Sequence, residues 1–173
     1  MLDSFIKDMG RSRALDVGAG IGRVTKHVLE PRFAAIDLLD PSFSLLSQAK
    51  SFINSPKVEE ALCVGLQDFK FTRMYDCIWV QWVWCYLTDT DLLAFFAQAK
   101  QHLSAGGMIF AKENVHDTGF YVDKDDNSVV RSDTLYLELF QEAGFEVLKH
   151  MYQPGFPDDL YNISFWALRP KQQ

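Results

Sequence analysis

The stretch DVGAGIGR sets Gly18, Gly20 and Gly22 at alternate positions behind Asp16, between an apolar run and a helix-like run. Backbone that bare is needed where a ligand comes close and where the chain turns through positive φ, which glycine alone adopts freely. Glycines of the dinucleotide fingerprint follow Gly-x-Gly-x-x-Gly, whereas these follow Gly-x-Gly-x-Gly, so a nicotinamide dehydrogenase is disfavoured and a plain strand-to-helix turn is the simple alternative. About twenty residues on, where such a site wants a carboxylate for ribose hydroxyls, Ile36-Asp37-Leu38-Leu39-Asp40-Pro41 offers two. Asp40 is preferred because it ends the apolar run and projects past it; the bland alternative is an acid that complements the next helix's dipole. Gln67, in Gly65-Leu66-Gln67-Asp68-Phe69, and Gln81, in Gln81-Trp82-Val83, close two further apolar runs and bring amides that can read a base edge. Trp82 can wall a reaction pocket, while Trp79 and Trp84 read as core.

These positions need a scaffold, and the pattern supplies one. Short apolar runs at 14–17, 33–39, 61–64, 75–80, 108–111, 145–149 and 163–168 read as strands. Between them lie helical patterns at 21–29, from Ser42 onward, from Thr88 to a stop at Gly106-Gly107, and at 135–143. Strand and helix in alternation predict an α/β fold, a mostly parallel seven-stranded sheet with helices on both faces. Ligands of such sheets bind at the carboxyl ends of the strands, where the glycines, Asp40 and the glutamines fall.

At 173 residues the chain is read as one domain, residues 1–12 a short leader and 13–173 the core. The 17 basic and 23 acidic side chains leave a net charge of −6, which argues against a nucleic-acid partner and suits a small polar or basic ligand. No apolar run is long enough to span a membrane and no secretory leader opens the chain. Cys63, Cys77 and Cys85 form no Cys-x-x-Cys and read as free thiols, the first two buried in apolar runs. A soluble cytoplasmic protein is expected, with the nucleus as a second compartment. His27 and His102 have no second ligand at metal spacing, so no metal is expected.

The glycine loop behind an acidic strand end resembles that of S-adenosyl-L-methionine-dependent methyltransferases. The runs ALDVGAGIGRVTKHVL, VGLQDF, DCIWVQWVWCYLTDTDL, AKENV and VDKDDNSVVRSD, in that order, narrow the resemblance to the protein N-terminal methyltransferases that modify the α-amino group of chains beginning Xaa-Pro-Lys. It implies a Rossmann-like class I methyltransferase fold. It also implies S-adenosyl-L-methionine held by Gly18, Gly20 and Arg23 at its methionine end, by Asp40 at the ribose, and by Leu66, Gln67 and Gln81 around the adenine or methionine portion. Trp82 would contact the substrate's leading residues, Asn114 the peptide backbone, and Tyr161 the proline subsite. Asp123 and Asp126 would meet the lysine ammonium and the α-amine; by charge alone VDKDDN reads as a solvated loop.

An α-ammonium has no lone pair, but its ordinary pKa of about 7.7 to 8.0 leaves a sizeable neutral fraction near neutrality. A nearby acceptor need only take one proton, and Asp126 is expected to be that acceptor or an orienter. The family's usual histidine before Leu-Thr-Asp is here Tyr86, a phenol of pKa about 10 and hence an orienter rather than a base. The family also usually carries a longer helical leader than residues 1–10, which predicts weaker cofactor retention here. Two rival readings go with the same features: a small-molecule methyltransferase, and a non-catalytic module that holds a basic N-terminus or a partner methyltransferase.

Overall fold

The alternating pattern folds into a seven-stranded sheet in this computed structural model, which describes residues 1–155 and 160–171. Its strands are β1 (Arg13–Val17), β2 (Ala35–Leu39), β3 (Val58–Leu62), β4 (Tyr75–Gln81), β5 (Leu103–Val115), β8 (Phe145–Tyr152) and β9 (Asn162–Pro170), in the order β3-β2-β1-β4-β5-β9-β8. β3, β2, β1, β4 and β5 run parallel and β9 is antiparallel to both its neighbours. The chain leaves β1 toward β2 and β3, then returns to pair β4 on the other side of β1. Loops diverge at that switch point and open a crevice beyond the carboxyl ends of β1 and β4.

β2 is buried at every position, as an apolar run without alternation requires when both faces of a parallel sheet are covered. Alternate residues of the central strands go to opposite layers. Leu15, Val17, Ile78 and Val80 join α2 (Asp89–His102) and α3 (Asp133–Glu142) through Leu92, Phe96, Tyr136 and Phe140. Ala14, Cys77, Trp79 and Phe110 meet α1 (Phe43–Ile53) through Leu46, Ala49 and Ile53, and the amino-terminal segment through Leu2 and Met9. Ser42, Thr88 and Ser132 start the three helices, each side-chain oxygen accepting the backbone N–H three residues on.

Three local expectations are corrected. Gly106-Gly107 does not stop α2: the helix ends at His102 and the glycines lie inside β5. A Cβ on Gly107 would stand 2.9 Å from both the Ser104 and Tyr75 carbonyl oxygens, so glycine there permits close backbone approach where the β4–β5 register shifts. The pattern at 21–29 yields a five-residue π-helical turn, Thr25–Leu29, closed by the Glu30 amide on the Thr25 carbonyl at 2.8 Å. Cys63 falls just past β3 and is exposed, whereas Cys77 is buried as read. A hairpin of β6 (Phe120–Asp123) and β7 (Ser128–Arg131), absent from the sequence reading, carries the acidic run in its turn. No helix among the described residues is long and apolar enough to cross a membrane.

Candidate active site

Gly18, Gly20 and Gly22 all adopt positive φ, at +74°, +53° and +84°. Their needs differ. A Cβ on Gly18 would lie 2.4 Å from Val83 Cγ2, and one on Gly22 2.4 Å from Ile53 Cδ1, so both are bare because protein packs against them. A Cβ on Gly20 would meet no protein atom within 4 Å, so that side of the loop faces open space. The loop is fastened at its root by Asp16, whose buried carboxylate accepts from the Thr25 amide at 3.1 Å and the Thr25 hydroxyl at 2.5 Å. Burial raises Asp16 to about 6 against the pull of those two hydrogen bonds.

Asp40 stands at the end of β2. Its Oδ2 accepts from the Gly20 amide and its Oδ1 from the Ser42 amide, both at 2.8 Å, so it links the glycine loop to the start of α1. Each oxygen retains acceptor capacity toward the crevice. A cavity of about 400 Å³ opens there, lined by Gly18, Asp40, Leu66, Gln67 and Gln81 together with Trp82, Val83 and Tyr86. Asp40 lines this cavity and Asp37 does not. Asp37 is spent on Arg13, Arg73 and the Tyr75 hydroxyl at the opposite end of the strands.

A second cavity of about 290 Å³ adjoins the first and shares Trp82 and Tyr86 with it. Asn114, Asp126 and Tyr161 line it as well. Trp82 holds φ +53°, a left-handed conformation costly for a bulky side chain and found where surroundings over-determine it. Its amide donates to the Lys112 carbonyl at 3.0 Å and its indole Nε1 to Asn114 Oδ1 at 3.1 Å. That second bond engages the Asn114 oxygen and leaves its nitrogen without a partner among the described residues. The Lys112 ammonium lies 4.6 Å from the Trp82 ring centre, and burial lowers its pKa. The Tyr86 pKa is raised by burial first and then by the Cys85, Asp126 and Glu113 side chains, which keeps the phenol protonated at neutral pH.

Most of the residues read from sequence thus converge on two adjoining cavities, and three do not line either. Arg23 is exposed, and its side chain makes no hydrogen bond among the described residues. Gly20 reaches the first cavity through its amide on Asp40. Asp123 turns its Oδ1 onto the Asp125 amide at 2.9 Å, an Asx turn at the hairpin tip, and stands close enough to Tyr161 to raise that phenol's pKa, after burial and Tyr121. Asp126 likewise accepts from the Ser128 amide at 3.0 Å yet keeps its place on the cavity wall. Sequence reasoning missed Val83, which backs Gly18, and Glu113, which is fully buried beside Asn114. A visible signal existed for the latter: an acid inside MIFAKENV, a run that otherwise reads as a covered strand.

Residues 2–169 match the family model described as AdoMet dependent proline di-methyltransferase. Alpha N-terminal protein methyltransferase 1 of Dictyostelium discoideum is 44% identical over 161 residues, covering 91% of this chain and 60% of the relative, so the chain spans about three-fifths of that protein's length. N-terminal Xaa-Pro-Lys N-methyltransferase 1-B of Xenopus laevis is 39% identical, over 92% of this chain and 73% of the relative. A solved SAM-dependent methyltransferase from Leishmania major superposes with a TM-score of 0.87 at 42% identity, over 92% of this chain and 65% of that one.

Proposed function

The chain belongs to the AdoMet-dependent proline di-methyltransferase family, and on that premise we propose that it transfers a methyl group from S-adenosyl-L-methionine to the α-amino group of proteins beginning Xaa-Pro-Lys. The observation that carries the reading is the wall of Trp82 and Tyr86 common to both cavities, which brings a nucleoside compartment and a peptide compartment to one point. The residues present fit the cofactor. Gly20 offers backbone with open space where a Cβ would stand, Asp40 offers carboxylate oxygens at a strand end, and about 400 Å³ falls in the usual range for a small-ligand pocket. Asp40 would take the ribose hydroxyls, Leu66, Gln67 and Gln81 the base and methionine portions, and Gly18 with Arg23 the carboxylate end.

When bound, the cofactor supplies an electrophilic methyl group on a sulfonium. The chain's own residues then have three tasks. Trp82 and Tyr161 hold the leading residues and exclude water, and the free Asn114 nitrogen donates to a peptide carbonyl. Asp126 accepts a proton from the α-ammonium so that a lone pair faces the methyl group, while the Tyr86 phenol orients the nitrogen. Asp123, beside Tyr161 at the hairpin tip, adds negative charge for the third-position lysine.

The acidic hairpin favours a cationic peptide over a small neutral acceptor, and the shared wall supports turnover over a module that only holds a basic N-terminus or a partner methyltransferase. Free thiols at Cys63, Cys77 and Cys85 support a reducing compartment, the cytoplasm or nucleus; imaging of a fluorescent fusion tests this. Mass spectrometry of an Xaa-Pro-Lys hexapeptide incubated with the chain and S-adenosyl-L-methionine tests the function. Methyl increments confined to the α-amine are expected; methylation of a small-amine panel in preference to the peptide, or cofactor binding with no transfer, defeats the reading.

A further inference from the structure

Glu113 neighbours Asn114 on β5 but belongs to the other layer, with none of its surface exposed. Its Oε1 accepts from the amides of Val83 and Trp84, both at 2.8 Å, the two residues that follow Trp82. Its Oε2 is buried and has no partner among the described residues. An apolar side chain in its place would leave the Val83 and Trp84 amides without their acceptor.

The turn that Glu113 grips is the one between β4 and α2. Arg131, on β7 and 4% exposed, holds its other end by donating to the Trp84 carbonyl at 3.2 Å and the Leu87 carbonyl at 2.7 Å. Trp84 is wedged between these anchors among Phe95, Phe96, Tyr136 and Phe140, with no surface exposed. The residues on either side of that fixed middle, Trp82 and Tyr86, are exposed. Trp82 takes its left-handed backbone there.

We infer that Glu113 is a positioning residue: by taking the Val83 and Trp84 amides on one carboxylate oxygen, it sets the turn that puts Trp82 and Tyr86 on the wall common to the two cavities. The substrate consequence rests on the proposed function; the placement of Trp82 does not. The titratable groups around the carboxylate are Cys85 and Tyr86 on the turn, Arg131 on β7 and Tyr136 on α3. Burial raises Glu113 to about 7, against the amides of Trp84 and Val83 and the charge of Arg131. Loss of the charge as pH falls through that value weakens the acceptor, so the grip loosens on the acid side.

Nitrogen–proton correlation spectra of the whole chain, without ligand, test the inference. The backbone signals of Val83 and Trp84 and the indole signal of Trp82 are expected to titrate together near pH 7 in the wild type and to stay still in Glu113→Gln, which keeps the acceptor oxygen. In Glu113→Ala the Trp82 indole signal moves at all pH values. The peptide KM and the cofactor dissociation constant then both rise, each by roughly tenfold or more, because the displaced wall is common to both cavities, and Glu113→Gln keeps both within about threefold of wild type. Absence of the neutral-pH titration, an unmoved Trp82 signal in Glu113→Ala, or equal impairment of the Gln and Ala variants overturns the inference. Should Glu113→Ala fail to fold, the wild-type and Gln titrations decide alone. A wild type that methylates no peptide defeats the proposed function and leaves the spectra to judge Glu113.

Discussion

Gly20 and Gly22 sit two positions apart in one loop and need to be bare for opposite reasons, which substitution separates. Gly20→Ala puts a methyl group where no protein atom lies within 4 Å, so calorimetry is expected to show S-adenosyl-L-methionine affinity down at least about tenfold, with about 1 kcal/mol of stability lost to backbone strain. Gly22→Ala drives its methyl into Ile53, and the larger loss is expected in denaturant unfolding, roughly 2 to 3 kcal/mol from overpacking and strain together, with a smaller change in cofactor affinity. The reverse ranking would remove the ligand from the loop's open side. At the other cavity, Asp126→Asn is expected to lower turnover at least about tenfold and Tyr86→Phe to cost less, because a phenol held protonated orients without accepting. Comparable losses for the two in a steady-state assay would show that the phenol shares the proton transfer.

The hairpin of β6 and β7 is tied to the β4–α2 turn chiefly through the buried guanidinium of Arg131, which also meets Asp89 Oδ1 from Nε at 2.8 Å. Arg131→Lys keeps the charge but loses the fork that serves three acceptors. Unfolding free energy is expected to fall by about 1 to 3 kcal/mol, and the peptide KM to rise more than the cofactor dissociation constant; equal effects on both ligands would make the hairpin a general prop rather than part of the peptide compartment. This element also marks how far the sequence could be read. Central strands announced themselves because CIWV and AIDLL are buried on both faces, and Ser42 and Thr88 capped the helices that they predicted. Phe120, Tyr121 and Val122 are exposed, so the hairpin has no one-sided apolar alternation to betray it. Gly106-Gly107 read as a helix stop because the same residue serves a cap and a tight inter-strand approach, and only the partner strand distinguishes them. Asp40 and Gln81 were legible as strand-end residues, whereas Gln67 lies in a turn beyond β3; Glu113 left only the trace of an acid in an apolar run, because its partners are backbone amides about thirty positions away in the chain.

Charge acts over the molecule as a whole. With a net charge of −6 and an acidic hairpin tip, the peptide KM for a basic N-terminus is expected to rise with added salt while cofactor affinity, resting on short-range contacts, changes little; salt-independent peptide binding would contradict recognition by sign. Buried acid shapes stability in the opposite sense to most surface carboxylates. Asp16 has a folded pKa of about 6 against an ordinary 3.8, so between those values the unfolded chain ionises first and holds fewer protons. Stability attributable to this group therefore falls as pH rises from about 4 to about 6, by up to roughly 3 kcal/mol, and is level above that. Asp16→Asn keeps an acceptor for Thr25 and cannot titrate. Denaturant melts of the two proteins are expected to diverge across that window in favour of the variant; parallel curves would mean that the carboxylate is better solvated than its burial indicates. Trp82 and Tyr86 line both cavities, so on the proposed function a ligand in one that moves either side chain alters the other, and thermodynamic linkage makes the effect mutual. Whatever factor the nucleoside adds to retention of the peptide, the peptide must return to the nucleoside. Demethylated cofactor would then leave more readily once the modified terminus has gone.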